Sequence, residues 1–233
     1  MKRLIPLSLL LVVLASALVV FPNATEAQSA GLVSSVLNRM ERNRQSLKSL
    51  KASLSMEKYN AQLRDADKYH GVILYMPASG RNASVRIDWT SPQKEILAVA
   101  NGKYTLLKPR LNVAYTGSSN SSKVKNSGGG IMGLLHLSRQ QLEARFQPVQ
   151  DVREETLWGG VSTIHLTLVP KGNESFKYAE IWVDGGGMPV QTKVVEKNGD
   201  ATTMRLSDVK RNAGMSSDEF NLKLDSNVKV IKG

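Results

Sequence analysis

Between Ser84 and Tyr115 the apolar residues outnumber what one buried sheet face needs. Val85, Ile87 and Trp89 alternate with Ser84, Arg86 and Asp88, which is the period of a half-buried strand. Ile96 to Ala100 is continuously apolar, Asn101-Gly102 is a strong two-residue hairpin signal, and Tyr104 to Leu107 resumes the strand beyond it. A further turn is expected near Pro109-Arg110.

The flanking sequence extends this pattern. Leu32, Val33, Val36, Leu37, Met40 and Leu47 recur at helical spacing among basic residues, predicting an amphipathic helix of about four turns that needs a sheet, or a membrane surface, to lie against. Leu50, Ala52, Leu54 and Met56 alternate as the first strand. Asn60 to Lys68 is polar and reads as a turn, and Gly71 to Met76 is a second strand ended by Pro77.

After Tyr115 comes a polar loop to Ser127, then Gly128-Gly129-Gly130, then Ile131-Met132-Gly133-Leu134-Leu135-His136-Leu137. That last run has no polar face, so it must bury its side chains and reads as a plug. Ser138 and Gln141 have capping-box spacing, with Leu137 and Leu142 at the staple positions, and Pro148 stops the helix near Phe146. From Val149 onward strand signals return: Ile164 to Val169, Tyr178 to Asp184, Met188 to Glu196 and Thr202 to Val209. Short Gly/Asn turns separate them, as in an antiparallel meander, and nothing alternates as βαβ. The count is about ten to eleven strands with helices inserted at two points, and so wide a sheet must curl or close.

Composition narrows the setting. The chain of 233 residues has no Cys and a formal charge of +11. That excludes thiol catalysis, Cys-based zinc sites and a lipidated Cys, and the length buries a core without disulfides. Residues 1–27 carry Lys2 and Arg3, an apolar run from Leu4 to Phe21, and small residues ending at Ala27. This is the pattern of a cleaved export signal, with an uncleaved anchor as the alternative. Its removal takes Lys2, Arg3 and Glu26, lowering the charge by one to +10. Residues 28–233 are expected to form one domain, with loop, plug and lid helix over 116–147. A basic exported protein meets anionic lipid, envelope polyanions or an acidic partner rather than nucleic acid, unless its charge serves solubility alone.

Candidate chemistry is sparse. Gly128 to Gly133 fits G-x-G-x-x-G as a string, but a polar loop precedes it and no βαβ unit follows, so it reads as a hinge. Ser55/Lys58, Ser122/Lys125 and Ser207/Lys210 match S-x-x-K without companion motifs. His70, His136 and His165 have no ligand spacing. No catalytic residue, metal or cofactor is assigned, and the chain is read as a non-enzyme.

The segments G-V-I-L-Y-M-P, S-V-R-I-D-W-T-S-P, N-G-K-Y, L-T-L-V-P-K, F-K-Y-A-E-I-W-V-D and M-P-V-Q-T-K-V-V-E-K-N-G-D, in this order after an amphipathic helix, resemble the periplasmic outer-membrane lipoprotein carrier family. The resemblance implies an unclosed antiparallel β-barrel with helices over a hydrophobic cavity for acyl chains, and a periplasmic carrier of lipoproteins or another lipid. The implied partners are an inner-membrane donor complex and an outer-membrane acceptor, and the implied state is a monomer. The alternative within this fold is a lipid- or protein-binding sensor with no transfer role. Val85, Ile87, Trp89, Leu97 and Leu106, with Ile131, Met132, Leu134 and Leu135 of the plug, are the expected lipid-contacting residues, although Trp89 reads as plain core before it reads as a cargo contact. Arg86 falls where the family carries an Arg before the strand's Trp, spaced here as R-I-D-W. The resemblance assigns it a lid contact at the rim, against the alternative of an ordinary surface Arg.

Overall fold

Two meanders lie edge to edge in one twisted sheet. The computed structural model describes residues 24–77, 83–124, 133 and 137–232. The first meander runs β1 (Leu50–Asn60), β2 (Asp65–Met76), β3 (Ser84–Ser91), β4 (Glu95–Ala100), β5 (Lys103–Lys108) and β6 (Val113–Ser118). The second runs β7 (Gln150–Leu157), β8 (Val161–Leu168), β9 (Phe176–Asp184), β10 (Pro189–Glu196) and β11 (Ala201–Arg211), and is followed by a short β12 (Lys229–Lys232). The strand order is β12-β6-β5-β4-β3-β2-β1-β11-β10-β9-β8-β7. Every neighbouring pair is antiparallel except β12 with β6, which is parallel. The sheet does not close: β7 and β12 are its two edges.

The described sheet has twelve strands, where the sequence pattern predicts ten to eleven. The pattern shows no β12, because Lys-Val-Ile-Lys is too short to display a period and lies at the surface. Asn60 to Lys68 also differs from expectation, since only 61–64 turn and β1 and β2 pair out to Asn60 and Asp65. Backbone pairing needs no apolar side chain, so a polar arm extends the hairpin past the core. Its turn is fixed by Asn60 Oδ1, which accepts from the Gln62 and Leu63 amides at 3.0 and 2.9 Å. The Asn101-Gly102 turn has positive φ at both residues, as a type I′ hairpin requires. Pro109–Leu111 forms the expected turn before β6.

Helix α1 (Ala24–Ser46) runs through the expected processing point at Gln28. Helix α2 (Arg139–Arg145) has the predicted capping box: Ser138 Oγ accepts from the Gln141 amide at 3.2 Å, and Gln141 Oε1 accepts from the Ser138 amide at 2.9 Å. Leu137 and Leu142 are both buried, and Phe146 ends the helix. Both helices pack on the second meander, where Val36, Leu37, Met40, Leu142 and Phe146 cover Ile164, Leu166, Leu168, Ala179, Ile181 and Val183. At the β9–β10 turn the backbones nearly touch. Gly187 has φ +83°, and a Cβ there would lie 2.2 Å from the Arg39 carbonyl oxygen, so only glycine fits.

Residues 212–228 cross the outer side of the first meander like a strap. The Asn212 amide donates to the Ser49 carbonyl at 2.8 Å. The turn Ser217–Phe220 then lies against β3 and β4 with Phe220 buried, and Asn112 Nδ2 donates to the Asn227 carbonyl at 2.8 Å beside β12. This crossing delivers the chain to the far edge in the same direction as β6, which explains the one parallel pair.

Candidate functional site

Strand alternation and register place one apolar face on the inner side of the sheet. Leu54 of β1 stands beside Leu206 of β11, Ile73 pairs with both Ala52 and Ile87, Ile87 with Leu97, and Leu97 with Leu106. Val85, Ile87, Trp89, Leu97 and Leu106 therefore come together, all buried, in one cluster with Leu50, Leu54, Met56, Tyr75, Tyr104, Met204 and Leu206. Those last seven were not among the expected lipid-contacting residues, though the same period-two alternation marks each of them. Ile131, Met132, Leu134 and Leu135 lie outside the described residues, as do the other plug residues except Gly133 and Leu137, and Leu137 packs with the two helices.

The rim of this face is mixed. Trp89 meets Tyr69 edge-on with ring centroids 5.8 Å apart, and Lys58 Nζ stands 5.3 Å from the Tyr69 ring centre. Lys58 follows Met56 by two residues, which turns it to the inner side, and burial holds its ammonium below the usual lysine range. Lys108 pairs with Glu95 at 2.8 Å on the same side of Trp89. At the α1 end, burial pushes the Tyr75 phenol well above its ordinary value, with Arg44 opposing. The Tyr104 hydroxyl is buried without a hydrogen-bond partner, a polar atom inside an apolar wall.

Arg86 sits on the other side of β3 from Val85, Ile87 and Trp89. Its Nε and Nη2 donate to Asp88 at 2.7 and 2.9 Å, and Nη1 donates to the Glu219 carbonyl at 2.9 Å. Its described partners are thus its own strand and the strap, and the Asp88 bond raises its pKa.

A second opening lies between the helices. Val33 and Leu37 of α1, Leu142 and Phe146 of α2, and Val149 and Leu168 line a cleft of about 540 Å³, with Arg139, Glu143 and Lys171 at its mouth. The helices are joined at one end by Glu41, which accepts from Arg44 at 2.6 Å, Gln45 at 2.8 Å and the Arg139 amide at 3.5 Å. Its hydrogen bonds with Arg44 hold the carboxyl at about 2.

Other polar groups are scattered. Ser55 and Lys58 face opposite sides of β1. His165 is buried on the outer side, with Nδ1 3.0 Å from the Asp151 carbonyl and its ring 4.8 Å from that of Trp182. Among the described residues no group of three or more His, Asp or Glu side chains is placed to hold a metal ion. No helix described is long and apolar enough to cross a membrane.

Comparison with known proteins gives one family and several shared folds. No match was found among curated proteins. An uncharacterised conserved protein from Thermus thermophilus superposes with TM-score 0.54 at 10% identity, over 86% of this chain and 99% of that one. MucB solved alone gives TM-score 0.55 at 13% identity over 85% of this chain, and the chain spans 64% of the length of MucB. The Pseudomonas aeruginosa MucA/MucB complex gives 0.51 at 13% identity, over 85% and 62%. At these identities the likeness is one of fold. Residues 45–223 match the family described as outer membrane lipoprotein carrier protein LolA. This span holds the sheet from the end of α1 to the strap, and the chain belongs to the LolA family.

Proposed function

We propose that this protein is a periplasmic carrier that shields the acyl chains of lipoproteins, or of another lipid, for transfer towards the outer membrane. The observation that carries this reading is the apolar inner face that β1 to β5 and β11 share in one buried cluster on an unclosed sheet. A face of this kind suits acyl chains, since each buried methylene gains about 0.8 kcal/mol. Val85, Ile87, Trp89, Leu97 and Leu106 form its floor in the first meander. Ile131, Met132, Leu134 and Leu135 are proposed as the plug that cargo displaces. Residues 28–233 act as one exported, monomeric domain that makes and breaks no bond, receiving cargo from an inner-membrane donor and passing it to an outer-membrane acceptor. Native mass spectrometry of protein purified gently from its own envelope tests this. An adduct identified as an acylated protein or lipid is the expected result. A clean apo mass, with no uptake of added lipopeptide or fluorescent fatty acid, sinks it. The MucA/MucB complex of the same fold favours one second reading, a sensor that binds a protein partner stably. Pull-down of a stoichiometric envelope protein with no bound lipid is its signature.

A further inference from the structure

The outer side of the sheet carries a feature that cargo shielding does not use. Trp158, in the turn between β7 and β8, is 89% exposed, whereas Trp89 and Trp182 are 4% and 6% exposed. The next strand starts with Val161, also exposed. A lone exposed Trp loses the gain from burying its large ring, so its place at a hairpin tip calls for a partner.

The turn is held over the sheet by Arg205, whose guanidinium donates to the Trp158 carbonyl. Arg205 stands on β11 opposite Ser55 of β1 and Gln191 of β10. It is half-buried, and among the described residues it has no carboxylate partner. It also lines an outer cleft of about 250 Å³ with Ser55, Lys68, His70, Gln191 and Thr203. Hydroxyls, an amide, an imidazole and two cations make a donor-rich set suited to phosphate oxygens. The one carboxylate in the cleft, Glu57, lies 3.8 Å from Lys68 Nζ and is offset by it. The chain as a whole carries +11, so an anionic surface attracts it from a distance.

We propose that this face docks on a bilayer bearing anionic phospholipid, with the Trp158 ring in the headgroup layer and a lipid phosphate in the Arg205 cleft. Trp prefers that layer because its ring is apolar and its N–H polar. The cationic cleft supplies the preference for negative lipid. The assignment is independent of what the inner face carries.

Tryptophan fluorescence tests it, because the other two Trp side chains are already buried. Protein taken from the cell envelope, processed as the cell leaves it, is titrated with vesicles of phosphatidylcholine containing one third phosphatidylglycerol, and with phosphatidylcholine alone. A blue shift with the anionic vesicles is expected. In vesicle co-sedimentation, which does not depend on Trp158 as reporter, W158A and R205Q should each weaken partitioning several-fold, and salt should weaken it further. Equal partitioning of parent, W158A and R205Q overturns the proposal, because binding then runs through another surface such as the N-terminal apolar run. Absence of any vesicle-dependent shift overturns it too. A Trp158 shift of equal size with millimolar glycerol phosphate and no vesicles assigns the cleft to a soluble phosphate ester and removes the bilayer. Circular dichroism of both variants separates lost docking from lost folding.

Discussion

Gly71 shows how little space separates the strands that build the inner face. A Cβ at this position would lie 2.5 Å from the Asp88 carbonyl oxygen, next to a register shift between β2 and β3. Gly71→Ala forces the two backbones apart and should cost about 1–3 kcal/mol. Urea unfolding followed by far-UV signal checks this: a lower midpoint at unchanged slope is expected, and an unchanged midpoint contradicts the tight approach. At this scale the sequence was a good guide wherever alternation was strict. Val85, Ile87 and Trp89 meet on one side of β3, as period two requires. It was a poor guide to Lys58 and Tyr69, which belong to the same face by parity but sit in a stretch too polar to read as core. Nor does parity say what a side chain reaches across the sheet. The bond from Arg86 to the Glu219 carbonyl spans 133 positions, beyond any local pattern.

Among the elements, α1 and α2 carry the clearest acid dependence. The ordinary value for the Glu41 carboxyl is 4.5, and its folded value is about 2, chiefly through its hydrogen bonds with Arg44. A depressed carboxylate stabilises the folded state above its unfolded pKa and loses that contribution as pH falls through the folded pKa. Between about pH 4.5 and 2 the helix pair should therefore loosen, with α2 losing its backbone bond to Glu41. Glu41→Gln should flatten the stability profile across that window while changing little at still lower pH. Thermal melts at half-unit steps of pH read this directly, and a parallel acid limb in the variant rules it out. Tyr75 works in the opposite sense. Its raised phenol favours the folded state at neutral pH, and that contribution is lost on the alkaline side as pH rises above about 10. The capping box, staple and stop of α2 were fully legible, because helix ends are set by residues within four positions. The helical state of Ala24–Ala27 was not, since those residues lie within the apolar-to-small transition read as an export signal.

For the whole molecule, the strap leads the chain from β11 across the outer side of the first meander to the far edge. Arg86→Ala removes two charge-assisted bonds to Asp88 and the grip on Glu219. Loss of one bond to a charged group costs about 1.5–3 kcal/mol, roughly a tenfold or greater rise in local opening. Limited proteolysis should cut within 212–228 correspondingly faster in the variant, while the sheet itself resists. Equal cleavage of variant and parent means that Phe220 alone seats the strap. The antiparallel meander was legible from the run of strands and short turns, whereas its staying unclosed was implied only by the family resemblance. The order of its strands was not legible, because β1 meets β11 across about 150 positions and that pairing leaves no mark on either strand. This order carries a consequence for synthesis. Both borders of the first meander are completed by the second half of the chain: β11 covers β1 and β12 covers β6. A chain emerging from its N-terminal end thus presents six strands with two bare borders until the remainder arrives, and its period of greatest risk for cross-pairing with a neighbour is half-made rather than unfolded.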